Sequence, residues 1–217
     1  MIESVILDLD GTLIDSAPGI LESLHKAICD VLPQQVFDPS KVRVGPPIRE
    51  MARKAFPDLA TETIEQVAVA FRKHYDSVGW RKMTVYDGAL SALRSLSDAG
   101  YALFLATNKP LGPTRTILQD EKMVSYLRDY VAIDSVKPPF ADKAHMLLHL
   151  CKTHKLNPHG TAYVGDTKAD SEAAVRCGMP FVFAAFGYGR VTEIDANAIW
   201  KKVGSLDELT PSLLRGS

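Results

Sequence analysis

The pattern of apolar positions separates one helical stretch from a longer region in which strands and helices alternate. Residues 4–9 contain the run Val5-Ile6-Leu7, which is typical of a buried parallel strand. Residues 15–82 have apolar positions spaced three and four apart, which predicts helices and no convincing strand. Beyond residue 83 we predict strands at 101–106, 130–133, 161–164 and 180–184. The helices predicted around them lie at 113–120, 143–154, 169–177 and 205–214.

This alternation of strands and helices favours an α/β fold with a doubly wound parallel sheet. The helical stretch interrupts the alternation directly after the first strand, and it is long enough to form a small domain. We therefore predict a catalytic core made of residues 1–14 and 83–217. Residues 15–82 are predicted to form a helical cap domain inserted between its two parts.

Composition narrows the classes of protein to which the chain can belong. The 217 residues are 46% hydrophobic and 24% charged, with a net charge of −1, which gives no electrostatic case for a nucleic-acid or membrane partner. No apolar run approaches the roughly 18–20 residues of a membrane span. Because the first predicted strand begins so early, we expect no signal peptide. The cysteines, Cys29, Cys151 and Cys177, show no metal-ligand spacing, and we expect reduced core thiols. A cytoplasmic protein is expected.

Polar residues follow several of the predicted strands. Asp8 and Asp10 stand at the end of the first strand, although Asp-Gly alone is also typical of a solvated turn. Because carboxyl ends of parallel strands meet at one edge of the sheet, we expect a convergent set there. That set is Asp8, Asp10, Thr107, Lys143, Asp166 and Asp170. Four carboxylates together require a cation, and an all-oxygen ligand set favours Mg²⁺ over zinc. A hydroxyl and a lysine beside Mg²⁺ suit phosphoryl transfer.

These residues occur in motifs with a recognisable order. They are Asp8-Leu9-Asp10-Gly11-Thr12-Leu13, Thr107-Asn108-Lys109-Pro110, Lys143, and Gly165-Asp166 with Asp170. Because it carries these motifs in this order, the chain resembles hydrolases of the haloacid dehalogenase superfamily over essentially its whole length. Within that superfamily it is similar to the phosphoglycolate phosphatase group, which carries a helical cap.

The resemblance implies a catalytic role for four residues. Asp8 would be the nucleophile that forms an aspartyl phosphate, and Asp10 the general acid and later the general base. Thr107 would bind phosphoryl oxygens, and Lys143 would bridge the Asp8 carboxylate and the phosphate. Lys137 precedes a proline as the catalytic lysine does in many relatives, but Lys143 has the favoured spacing, 23 residues before Asp166.

The resemblance also implies a metal site and a substrate site. Asp166 would bind Mg²⁺ beside Asp8 and the Asp10 carbonyl, and Asp170 would hold the water shell of the metal. In the insert, Arg49 could pair with a carboxylate or a second phosphate; an exposed arginine at a helix N-terminus is the alternative interpretation. The remaining candidates for substrate binding are Gly11, Asn108 and Lys109.

The sequence therefore predicts a Mg²⁺-dependent phosphatase that acts on a small phosphorylated metabolite. The resemblance implies phosphoglycolate as the substrate, with a nucleotide, pyrophosphate or a sugar phosphate as alternatives. A β-phosphoglucomutase-like phosphomutase would use the same fold and residues. A non-catalytic protein that binds a phosphate ligand is the alternative of another class, although such a protein would be expected to have lost Asp8 or Asp10. A monomer or a homodimer is expected.

Overall fold

The computed structural model describes residues 1–214, apart from the side chain of Lys41. The chain divides into two compact units. The core unit contains residues 1–14 and the chain from residue 85 onward, and the insert unit contains residues 15–84. The return boundary lies two residues beyond the predicted one, because the chain re-enters the core unit through a short strand at Thr84–Val85.

Elements are numbered along the chain. The strands are β1 Ser4–Leu7, β2 Ile14–Asp15, β3 Thr84–Val85, β4 Ala102–Thr107, β5 Asp129–Ala132, β6 Thr161–Gly165, β7 Phe181–Ala184 and β8 Ile199–Val203. The helices are α1 Ala17–Val31, α2 Ile48–Ala55, α3 Thr61–Ser77, α4 Ala89–Asp98, α5 Leu111–Asp120, α6 Lys143–His154, α7 Lys168–Cys177 and α8 Leu209–Leu214.

Six strands form the sheet of the core unit in the order β5-β4-β1-β6-β7-β8. Every neighbouring pair is parallel, and Leu7 is in register with Leu105 on β4 and with Val164 on β6. The predicted α/β fold with a parallel sheet is thus confirmed. Since β1 lies between β4 and β6, the carboxyl ends of these three strands are adjacent, where open α/β sheets bind ligands.

Both faces of the sheet are buried because apolar residues occupy both sets of alternating positions. Ile6, Phe104 and Tyr163 belong to one buried cluster with residues of α6 and α7. The alternate residues, such as Val5 and Leu105, face the opposite side and are also fully buried. Helices α4 and α8 contact each other. Helix α4 also packs against β4, and helix α8 packs against β8.

The prediction missed strand β8 and extended the last helix too far. Residues Ile199–Val203 read Ile-Trp-Lys-Lys-Val, and only Val203 is buried. An edge strand with two lysines and one solvated side lacks the apolar run that marks the inner strands. The helix predicted over 205–214 is a 3₁₀ turn at Leu206–Glu208 followed by the short α8.

The insert unit is helical. Helix α1 packs against α3, and its buried positions include Leu24, Ala27 and Ile28. Cys29 follows Ile28 and is exposed, so its prediction as a core thiol was wrong: one residue further along the helix turns the side chain by about 100°. Cys151 and Cys177 are buried as expected. In the described part of the chain, no helix has the length and apolarity needed to cross a membrane.

Candidate active site

The three central strands of the sheet end in polar residues. Asp8 directly follows β1, Thr107 is the last residue of β4, and Asp166 directly follows β6. All three side chains are buried. The backbone N–H of Asp8 still donates to the Val164 carbonyl at 2.9 Å, so the nucleophile candidate is held by the sheet beyond the end of its strand.

Lys143 links two carboxylates of the site. It is the first residue of α6, whose N-terminus is capped by Asp142. Its Nζ lies 2.9 Å from Asp8 Oδ2 and 2.7 Å from Asp170 Oδ1. The side chains of Lys143 and Asp8 are only 6% and 7% exposed, so the contacts lie in a shielded environment. Lys143 therefore lies within ion-pair distance of the Asp8 carboxylate, as its predicted bridging position requires.

Asp170 differs from the other carboxylates because both of its oxygens accept hydrogen bonds. Lys143 and the Tyr163 hydroxyl donate to Oδ1, at 2.7 and 2.9 Å. The backbone N–H and the hydroxyl of Thr167 donate to Oδ2. The Asp170 N–H donates in turn to the Thr167 hydroxyl, which completes a capping box at the start of α7. Through these bonds Asp170 holds Lys143 in place. Because both carboxylate oxygens already accept hydrogen bonds, direct binding of a metal by Asp170 is disfavoured.

Asp8 and Asp166 each keep one unsatisfied oxygen. Asp8 Oδ1 and Asp166 Oδ1 are buried and have no hydrogen-bond partner among the described residues. Together with Asp170, they form a group whose ligand atoms lie within 4.8 Å of one another. Three carboxylates beside one ammonium carry excess negative charge, and unpaired carboxylate oxygens are ligands that hard divalent cations prefer. The residues therefore fit a divalent cation.

The backbone packs unusually closely around Asp166. A Cβ at Gly11, whose φ is +81°, would lie 2.3 Å from Asp166 Oδ2. A Cβ at Gly187 would lie 2.3 Å from the Gly11 carbonyl, and the N–H of Tyr188 donates to Asp166 Oδ2 at 2.6 Å. The loop after β7 thus encloses one oxygen of Asp166. The sequence Phe186-Gly187-Tyr188-Gly189 predicts a tight turn near the rim of the site, but it does not predict the hydrogen bond to Asp166.

Burial and charge set the acidity of the cluster. Burial raises the pKa of Asp8 to about 7, although the Lys143 ammonium acts against it. The pKa of Asp166 is raised well above its usual range by burial and by the Asp170 and Asp8 carboxylates. Burial also tends to raise the pKa of Asp170, but the charge and hydrogen bond of Lys143 lower it overall. A bound cation would favour the ionised forms of Asp8 and Asp166.

Asp10 lies outside the carboxylate group that surrounds Lys143. Its Oδ1 accepts from Lys109 Nζ at 2.7 Å, and the Lys109 side chain is only 1% exposed. Lys109 was predicted to bind substrate, but here its ammonium is bound to Asp10. The Thr107 hydroxyl accepts from the Lys109 N–H at 3.1 Å, whereas Asn108 is exposed.

The other two predicted positions belong to the insert unit and to a loop of the core unit. Arg49 is in the insert unit, where its guanidinium forms a two-bond ion pair with Glu65, at 2.6 and 2.8 Å. Both side chains are about half exposed. Lys137, the alternative catalytic lysine, is exposed in the segment between β5 and α6.

The chain is similar to several known proteins. A family described as haloacid dehalogenase-like hydrolase matches residues 5–184. The phosphoglycolate phosphatase of Rhodospirillum rubrum is 32% identical over 96% of this chain and 90% of its own length. The tyrosine-protein kinase PtkA of Mycobacterium tuberculosis is also 32% identical, over 96% of this chain and 72% of its own length.

Solved structures agree with these matches. A haloacid dehalogenase-like hydrolase from Streptococcus pneumoniae superposes with a TM-score of 0.87 over 98% of both chains, and its 22% identity shows the fold alone. The PtkA structure superposes with a TM-score of 0.81 at 31% identity, over 97% of both chains. The predicted enzyme class, a phosphatase, is confirmed at this level of detail. On the matched residues and the shared fold, the chain belongs to the haloacid dehalogenase-like hydrolase family.

Proposed function

We propose that the chain is a Mg²⁺-dependent phosphatase that hydrolyses a small phosphomonoester through an aspartyl phosphate on Asp8. The observation that carries this proposal is the environment of Asp8. One carboxylate oxygen is held by Lys143, and the other is buried without a hydrogen-bond partner among the described residues. Such an oxygen is available to bind a cation, which leaves the oxygen beside Lys143 to attack phosphorus.

The residues of the site would divide the reaction between them. Asp8 attacks phosphorus and displaces the ester oxygen, which takes a proton from Asp10. A water molecule then attacks the aspartyl phosphate and gives its proton to Asp10. Lys143 offsets negative charge on the Asp8 carboxylate and on the phosphoryl oxygens. Thr107 would provide a hydroxyl for these oxygens at the end of β4.

Asp8 and Asp166 would hold Mg²⁺ through the two buried oxygens that lack partners. When bound, the ion neutralises negative charge on the transferring phosphoryl group. Asp170 would act indirectly by fixing Lys143, because its own oxygens are already hydrogen-bonded. The Asp10 carbonyl is the further ligand that the family resemblance implies.

Phosphoglycolate is the substrate we propose first, since the Rhodospirillum rubrum relative carries that activity in its name. Its carboxylate requires a cationic partner, and Arg49 of the insert unit is our candidate. The ion pair with Glu65 orients the guanidinium, although it also occupies two of its donors. We propose a cytoplasmic enzyme, a setting that suits three free cysteines.

A phosphate-release assay over a panel of phosphorylated metabolites tests the proposal. We expect release from phosphoglycolate with Mg²⁺ and none after chelation of the metal. Asp8→Asn should abolish turnover and also the acid-stable, hydroxylamine-sensitive label that an aspartyl phosphate leaves on the protein. Phosphate release by a pure Asp8→Asn preparation would contradict the covalent mechanism.

The likeness to PtkA supports a second candidate, transfer of the phosphoryl group to a tyrosine hydroxyl instead of water. The same Asp8 would then carry phosphate from a nucleotide to a protein acceptor. Incubation with γ-labelled ATP and a tyrosine-containing protein distinguishes the two functions. Label on tyrosine would favour the kinase, whereas free phosphate released from small monoesters would favour the phosphatase.

A further inference from the structure

The buried Lys109 has a position that binding of substrate alone does not explain. Its side chain is 1% exposed, whereas that of its partner Asp10 is 24% exposed. A buried ammonium is costly unless a charged or polar group pairs with it. The 2.7 Å contact with Asp10 Oδ1 provides that pairing and places Lys109 on the inner side of the Asp10 carboxylate.

The backbone fixes Lys109 in this position. Its N–H donates to the Thr107 hydroxyl at 3.1 Å, directly after the end of β4. The next residue, Pro110, precedes helix α5, and the Thr114 hydroxyl of that helix donates to the Pro110 carbonyl at 2.9 Å. The ammonium is therefore presented from a rigid junction between a strand and a helix, which is a suitable base for orienting another side chain.

We propose that Lys109 is a positioning residue for Asp10. It holds Oδ1 of the carboxyl group, so that Oδ2 is the atom that gives and takes the proton. This inference rests on the proposed function, because it assigns Lys109 to the general acid and base of that reaction. It differs from the prediction that Lys109 binds substrate, since the positioning role acts through Asp10.

The proton transfers define what Lys109 would affect. In the first step Asp8 forms a bond to phosphorus, the ester P–O bond breaks, and Asp10 Oδ2 gives its proton to the leaving oxygen. In the second step water attacks phosphorus, the P–O bond to Asp8 breaks, and Asp10 Oδ2 takes the proton of the water. A misplaced Asp10 slows both steps, but the first is slowed only when the leaving oxygen needs a proton.

Substrates with different leaving groups therefore separate positioning from phosphate binding. The alkoxide of phosphoglycolate is a poor leaving group and depends on protonation. The 2,4-dinitrophenolate of an aryl phosphate leaves without a proton. A lysine that binds the phosphoryl group would affect both substrates equally, because both carry the same phosphoryl group. A lysine that positions Asp10 would affect mainly phosphoglycolate.

The test compares kcat/KM for these two substrates in the full-length wild type, Lys109→Met, Asp10→Asn and the double variant. We expect Lys109→Met to lower kcat/KM by about 10²-fold with phosphoglycolate, the lower end of the range for general acid catalysis. With 2,4-dinitrophenyl phosphate the loss should be slight. The double variant should be no worse than Asp10→Asn, because both substitutions remove the same contribution. Lys152→Met, at an exposed position of α6, is the matched control.

The ratio of the two kcat/KM values does not depend on the fraction of folded enzyme, so partial unfolding of Lys109→Met does not affect the test. If the Lys109→Met variant is insoluble, Lys109→Gln is used in its place. Equal losses for both substrates, or additive losses in the double variant, would overturn the positioning role. Wild-type enzyme inactive on both substrates, or Asp10→Asn as active as wild type, would instead contradict the proposed function.

Discussion

Replacing Lys143 by methionine is the sharpest test of how the site works. The substitution keeps the length of the side chain and removes the ammonium that contacts Asp8 and Asp170. We expect kcat for phosphoglycolate to fall by about 10²–10³, the range for losing a single stabilising group in a transition state. Lys137→Met, which removes an exposed lysine six positions earlier, is the matched control.

The magnitude follows from the contacts. At 2.9 Å and an effective dielectric constant of about 20, Coulomb's law gives ~6 kcal/mol for the attraction between Lys143 and Asp8. Part of this attraction offsets the cost of burying the two charges, which is why the expected loss of transition-state stabilisation is only about 3–4 kcal/mol. Without Lys143, the pKa of Asp8 should rise above its present value of about 7, leaving less of the ionised nucleophile.

The assay is steady-state phosphate release at saturating Mg²⁺, with a thermal melt of each variant to show that it is folded. Lys137→Met should stay within about two-fold of wild type, as expected for a surface substitution. An active Lys143→Met together with an inactive Lys137→Met would refute the reasoning, because the catalytic ammonium would then belong to position 137.

Three further outcomes are expected. Mg²⁺ should raise the Tm of the wild type by mass action. Asp166→Asn should remove this rise, whereas Asp58→Asn, a control at an exposed position, should keep it. An unchanged rise in Asp166→Asn would exclude Asp166 as a ligand of the metal. Hexose 1-phosphates should yield free phosphate or remain unchanged, and a bisphosphate-stimulated 6-phosphate product would favour the phosphomutase. Iodoacetamide should label Cys29 before Cys151 in the native protein, since Cys151 is buried and its thiol pKa is raised to about 11; mass spectrometry of tryptic peptides gives the order.

The fold could be predicted where burial imposes a simple pattern. Strand β4 reads as an apolar run up to its last residue, Thr107, because helices α4 and α6 pack against it. Strand β8 could not be recognised in this way, since it lies at the sheet edge and keeps one side in solvent. The same reasoning explains Cys29, whose neighbours in α1 are apolar although its own position faces outward.

The members of the candidate site could also be predicted, because polar residues at the ends of buried strands have few other uses. Of their pairings, the family resemblance predicted only the contact of Lys143 with Asp8. It did not predict that Lys143 also contacts Asp170, or that Lys109 contacts Asp10. Spacing along the chain favours Lys143 over Lys137, but it contains no information on which carboxylate each lysine meets. The saturated hydrogen bonds of Asp170 and the enclosure of Asp166 by Gly187 depend on side-chain packing across elements distant in sequence.

Asp8 and Asp10 are two residues apart, yet the fold gives them different environments. Asp8 is 7% exposed and contacts Lys143, whereas Asp10 is 24% exposed and contacts Lys109. A nucleophile benefits from a dry setting, because water would solvate its charge and compete for phosphorus. A group that moves protons must instead exchange them with water or with the leaving oxygen. In the proposed reaction, separate lysines would hold each carboxylate in its own orientation, and this would account for the two buried ammonium groups of the site.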